Sequence, residues 1–120
     1  MTARADVNPT EDLEKVIKSL LNMFDYDDIE IGDGYVIVSG ERESLERFKE
    51  SIKNRQIRDT AEKILFKGIN GNEIVFSLSK QAALVDVPNF VDGELSSLGE
   101  IKVKIDTDDI EGFIKWITEK

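Results

Sequence analysis

RQIRDTAEKILFKGINGNEIVFSLSKQAA, running from Arg55 to Ala83, joins a charged helix to a strand through a Gly/Asn turn. Ile57, Ala61, Ile64 and Leu65 recur at helical spacing, and Gly68 supplies a stop for that helix. After Asn70-Gly71-Asn72 the pattern changes to every second residue, with Ile74, Phe76 and Leu78 inward, as a strand with one buried face requires. The segment leaves the strand on Lys80-Gln81-Ala82-Ala83. Ser79 to Leu84 has two readings, a helical turn capped by Ser79 or a bent strand.

Upstream, Ser44 is placed to cap a helix with Leu45, Phe48 and Ile52 inward. A continuous helix would place its next core residue at 55 or 56, where Arg55 and Gln56 stand. The spacing therefore predicts a break near Asn54, with Arg55 and Gln56 at the joint of two helical pieces. Further back, Ile29 and Ile31 alternate with acids, and Gly32-Asp33-Gly34 turns the chain into Tyr35–Ser39 as a hairpin. Leu13, Val16, Ile17, Leu20, Leu21 and Phe24 form one helical face, with Thr10 as its cap. A first strand spans Thr2 to Val7.

Downstream, Pro88 to Leu98 reads as loop, with Phe90 as an anchor. Ile101, Val103 and Ile105 make a last strand. Asp108 and Glu111 resemble a capping box that opens a final helix with Ile110, Phe113, Ile114 and Ile117 inward. The expected architecture is a single α+β domain over 1–120. It has two layers, a mainly antiparallel sheet with helices packed on one face.

Composition narrows the chemistry. The chain is 40% hydrophobic and 34% charged, the balance of a globular domain. It holds no cysteine and no histidine, which removes thiolates, disulfides and the commonest general acid/base and metal ligand. No catalytic residue, cofactor site or metal site is assigned. No apolar run is long enough to span a membrane, and a cytoplasmic protein is expected.

The net charge is −9, yet residues 42–67 carry eight basic residues against five acidic ones. Arg55, Arg58, Lys63 and Lys67 are the candidate phosphate contacts there, since arginine offers a planar donor fork to phosphate oxygens. The plainer reading is a solvated helix neutralised by the i, i+4 pairs Arg55–Asp59, Arg58–Glu62 and Asp59–Lys63. Lys80, at a strand–helix junction, is a further candidate anion contact, against the plainer reading of a solvated lysine. No P-loop is present. Asp25, Asp27, Asp28, Glu30 and Asp33 depart from a calcium-loop pattern and read as solubilising charge. Trp116 either covers the core edge or reaches a partner subunit. Arg4, Ser77, Lys102 and Lys104 share the polar side of the sheet, which lacks the aromatic platform of a nucleic-acid-binding sheet.

These residues resemble an archaeal family, uncharacterised protein family zero-two-zero-one. The runs that carry the resemblance are Asn8-Pro9-Thr10-Glu11-Asp12, Asn54 to Ala61, Gly68 to Asn72, Lys80-Gln81-Ala82-Ala83-Leu84-Val85 and Leu98-Gly99-Glu100-Ile101. Two positions depart from it: Asp86 stands where glycine is expected and Ser97 where proline is expected. The resemblance implies a fold like the large-subunit ribosomal protein that binds five-S rRNA, and with it RNA binding. It also implies an association with a kinase of the dephospho-coenzyme-A-kinase type. The resulting expectation is a non-enzymatic module that forms a homodimer or higher homo-oligomer and binds structured RNA through 42–67. The alternative is a protein–protein adaptor for the kinase-like partner, and an enzyme ranks third.

Overall fold

In the computed structural model, residues 1–91 and 99–119 are described. Among these residues, seven strands form one antiparallel sheet. They are β1 (Thr2–Asp6), β2 (Asp28–Gly32), β3 (Tyr35–Ser39), β4 (Ile69–Asn70), β5 (Glu73–Ser79), β6 (Phe90–Val91) and β7 (Glu100–Asp106). The order is β2-β3-β1-β7-β5-β4, with β6 also on β5. The described helices are α1 (Leu13–Met23), α2 (Glu46–Asn54), α3 (Arg58–Lys67), α4 (Lys80–Leu84) and α5 (Ile110–Ile117), and a 3-10 turn at Arg42–Leu45 leads into α2.

The registers put Ala3 opposite both Val38 and Val103, and Val103 opposite Phe76. These residues share one face with Ala5, Val36, Ile74, Leu78, Ile101 and Ile105, all at or near zero exposure. The helices pack Leu20, Met23, Phe48, Ile52, Leu65, Phe113 and Ile114 onto that face. Phe48 is central to the layer, with its ring 5.6–5.8 Å from those of Phe24, Phe76 and Phe90. Phe90 is thus the anchor expected of it, although it stands in a short strand. The rest of the expected loop, 92–98 with Ser97, lies outside the described residues.

Several local expectations are corrected. Thr10 does not cap α1; Asp12 does, its carboxylate accepting from the Glu14 N–H at 3.0 Å. The face of α1 is rotated accordingly. Val16, Ser19, Leu20 and Met23 are buried, whereas Leu13 and Leu21 are exposed. Ser44 does not cap α2, because its hydroxyl donates to the Glu41 carbonyl inside the 3-10 turn. Asp109 rather than Asp108 caps α5, accepting from the Gly112 N–H at 3.0 Å. The ambiguous 79–84 segment is helical, with Ser79 Oγ accepting from the Ala82 N–H.

Two glycines act as expected for different reasons. Gly71 turns β4 into β5 at φ 63°. Gly68 ends α3 at an ordinary φ of −85°, but a Cβ there would lie 2.0 Å from the Val75 carbonyl oxygen. Its requirement is space for the neighbouring strand.

Candidate nucleic-acid interface

The break between α2 and α3 stands where the apolar stripe loses register. Asn54 ends α2, Arg55 is its C-cap and Gln56 takes a left-handed φ of 56°. Ile57 then turns back toward the core and starts α3. Arg55 and Gln56 are left exposed at an outward corner.

The four basic residues singled out in this segment do not form one row. Arg55 reaches the Asp86 carbonyl oxygen at 3.5 Å, beyond the end of α4. Arg58 is half-buried and donates to the Glu119 carbonyl oxygen at 3.2 Å, beyond the end of α5. Lys63 and Lys67 are exposed and lie one helical turn apart on α3. Lys53, in the last turn of α2, is exposed near the corner. Three directions therefore share one basic ridge.

Asp86 connects this ridge to the departure seen in the sequence. It adopts φ 61°, a conformation that glycine takes without the steric cost of a Cβ. The expected glycine is explained by that angle, and aspartate is among the side chains that tolerate it.

Trp116 covers the edge of the core. It is half-buried and packs at a tilt on Phe113, ring centroids 5.9 Å apart. The Arg42 guanidinium and the Lys49 ammonium lie 5.2 and 5.1 Å from its ring centroid, within cation–π range. Lys49 also pairs with Glu119 at 3.1 Å. Trp116, Lys49 and Arg58 thus meet around the end of α5, a grouping of three helices that sequence spacing gave no means to see.

Lys80 overturns its expectation as a solvated lysine. It is 5% exposed, and its ammonium donates to the Asp6 carbonyl oxygen at 2.7 Å and to Glu11 Oε1 at 2.8 Å. Glu11 Oε1 also accepts from the Asn8 backbone and side-chain N–H groups. Burial tends to raise the Glu11 carboxyl, but the hydrogen bonds from Lys80 and Asn8 together hold it below its ordinary value. Lys80 ties the end of β1, the 8–11 turn and α4 together, so we remove it from the candidate RNA contacts. A cavity of about 280 Å³ lies beside the pair, lined by Glu11, Lys15, Lys80 and Gln81 among others.

On the other face of the sheet, Arg4 stands between Ile37 and Lys102, and Lys102 stands beside Ser77. Arg4 pairs with Asp6 at 3.2 Å and Lys104 with Glu73 at 3.2 Å. The face does carry an aromatic, which the sequence reading overlooked. Tyr35 shares the parity of Asp6, opposite to that of Val36 and Val38. Its ring lies over Gly32, where a Cβ would come within 2.1 Å of it, and beneath the Arg4 guanidinium at 4.6 Å. Alternation against the inward Val36 and Val38 would have found it. Among the described residues no cluster of acids suits a metal ion, and no helix is long and apolar enough to cross a membrane.

A family model described as RNA binding matches residues 1–107. A protein of Methanothermobacter thermautotrophicus named UPF0201 protein is 42% identical over 113 residues, covering 94% of this chain and 86% of that protein. The chain belongs to the UPF0201 family. A crystal structure of a UPF0201 protein superposes with a TM-score of 0.88 at 35% identity, covering 99% of this chain and 92% of the other. The UPF0201 protein of Methanococcus jannaschii gives a TM-score of 0.79 at 36% identity, covering 98% and 97%. The α+β architecture is therefore the UPF0201 fold. The family model, and not a likeness to a ribosomal protein, bears on RNA.

Proposed function

We propose that this UPF0201 chain binds structured RNA through the ridge made by α2, the Arg55–Gln56 corner and α3. The observation that carries the reading is the RNA-binding family model, whose 107 matched residues include the whole ridge. Lys53, Arg55, Lys63 and Lys67 are the phosphate contacts, being exposed on an otherwise acidic protein. Arg58 keeps the corner in place through the end of α5. A convex helical corner suits duplex RNA, which is recognised largely by shape and by its sugar–phosphate backbone. The sheet is the poorer surface for single strands. Its Tyr35 ring is covered by Arg4, and two of its cations are already paired. The role is binding, with no reaction attached to it.

The test is fluorescence anisotropy of labelled total cellular RNA across a salt series. The wild-type chain binds saturably, and affinity falls steeply as salt rises. Arg55→Glu combined with Lys63→Glu weakens binding at least tenfold while the melting temperature holds. Unchanged binding in that double variant removes the ridge from the reading. No binding by the wild type at low salt removes the RNA reading itself.

A further inference from the structure

The ridge leaves the opposite margin of the sheet unused. There β2 pairs only with β3 among the described residues, so its outer side is a free five-residue edge. Among the described residues, the far margin offers the two-residue strands β4 and β6 beside β5.

The helical layer stops short of β2. Val36 and Val38 are fully buried, yet their cross-strand partners Ile31 and Ile29 are 53% and 42% exposed. The two-residue turn at Asp33-Gly34 closes the hairpin on Gly32 opposite Tyr35. In an antiparallel ladder closed this way, hydrogen-bonded and open positions alternate. Gly32, Glu30 and Asp28 bond inward to β3, so Ile29 and Ile31 turn their N–H and C=O groups outward. The edge thus presents backbone donors and acceptors with two uncovered isoleucines on the helix side.

Its other side is acidic. From Ser19 to Glu41 the chain has six acids and no base. Of these, Asp25 pairs with Arg47 at 3.8 Å, whereas Asp28 and Glu30 make no ion pair among the described residues, Glu30 accepting instead from the Tyr35 hydroxyl at 3.3 Å. A second copy of the chain fits this edge poorly. Antiparallel self-pairing centred on Glu30 sets carboxylate against carboxylate, a shift of two residues one way brings Asp28 opposite Glu30, and the opposite shift pairs only Glu30–Gly32 before the strand turns at Asp33. RNA is repelled by the same charges.

We propose that the edge of β2 docks an extended segment of a partner protein in which Lys or Arg alternates with apolar residues. Its apolar side chains lie against Ile29 and Ile31. Its cations lie against Asp28 and Glu30, and its backbone adds a strand to the sheet. Charge complementarity selects this occupant, and the surface is separate from the RNA-binding ridge.

The test titrates the ¹⁵N-labelled full chain with a seven-residue peptide of alternating lysine and valine. A peptide of the same length with proline at its central position serves as control. The expected result is saturable binding that slows exchange of the Ile29 and Ile31 amides at least tenfold, and much weaker binding of the proline peptide. Asp28→Asn with Glu30→Gln weakens binding about tenfold, with the hairpin's chemical shifts otherwise kept. Ile29→Pro, tolerated at an outward-facing edge position, abolishes binding while the fold persists. Equal binding of both peptides reduces the effect to charge attraction and overturns the proposal. So does an absence of binding, or protection that develops with protein concentration alone, which would assign the edge to a second copy. Protection of the same amides by RNA would also overturn it.

Discussion

Single residues decide how tightly this fold is held at its junctions, and Lys80 is the clearest case. Its ammonium is buried between a backbone carbonyl and Glu11. Lys80→Met strands the Glu11 carboxylate and should lower the unfolding free energy by about 2 kcal/mol at neutral pH. The Glu11 carboxyl sits below its ordinary 4.5 in the folded chain, so its ionised form adds stability above the unfolded value. That increment is lost as pH falls through the lower, folded value. Urea titrations of wild type and Lys80→Met should therefore differ most at neutral pH and draw together in acid, below the ordinary carboxylate range. An equal gap at both pH values would remove the ion pair as its cause. A second residue works in the other direction. Asp86 holds φ 61°, so Asp86→Gly should leave stability unchanged or raise it by about 0.5–1 kcal/mol, read from the same titrations. The sequence had marked both positions. It offered no way to tell a buried lysine from a solvated one, because burial here depends on Glu11, some seventy positions away.

Elements were legible where a stripe of apolar residues was long, and less so at their ends. The break between α2 and α3 was readable because two polar residues occupied positions a continuous helix would bury. The caps of α1 and α5 were misplaced because Thr10 and Asp12, and again Asp108 and Asp109, offer nearby side chains of similar capping power. The choice is settled by how the preceding turn aims the chain, which a helical wheel does not contain. Asp12→Ala and Asp109→Ala should each cost about 1 kcal/mol. Thr10→Ala and Asp108→Ala should cost a few tenths at most. Thermal melts of the four variants check the assignment, and a reversed ranking would reject it. The basic segment was legible as charge but not as direction. Spacing showed Arg55 and Arg58 three apart, yet the joint between them sends one toward α4 and the other toward α5.

At the scale of the whole molecule, the layered α+β arrangement followed from alternation in the strands and 3.6-residue stripes in the helices. Strand order did not, since nothing in those patterns says that β1 lies between β3 and β7. Hydrogen exchange should expose that order. Amides of β1, β7 and the middle of β5 should be the slowest, and the outward amides of Ile29 and Ile31 among the fastest in the strands. Fast exchange throughout β1 would contradict its central place.

That placement also governs how the chain must come together in time. β1 is flanked on one side by β7, far along the chain, with Thr2 opposite Lys104 and Ala5 opposite Ile101. During synthesis the β2–β3 hairpin and α1 can gather around β1. One edge of β1 must then stay open until about a hundred further residues have emerged and β7 arrives. A pairing so distant along the chain makes closure of the sheet a slow, late event. Until then the growing polypeptide carries an unfinished sheet with one edge of β1 unpaired.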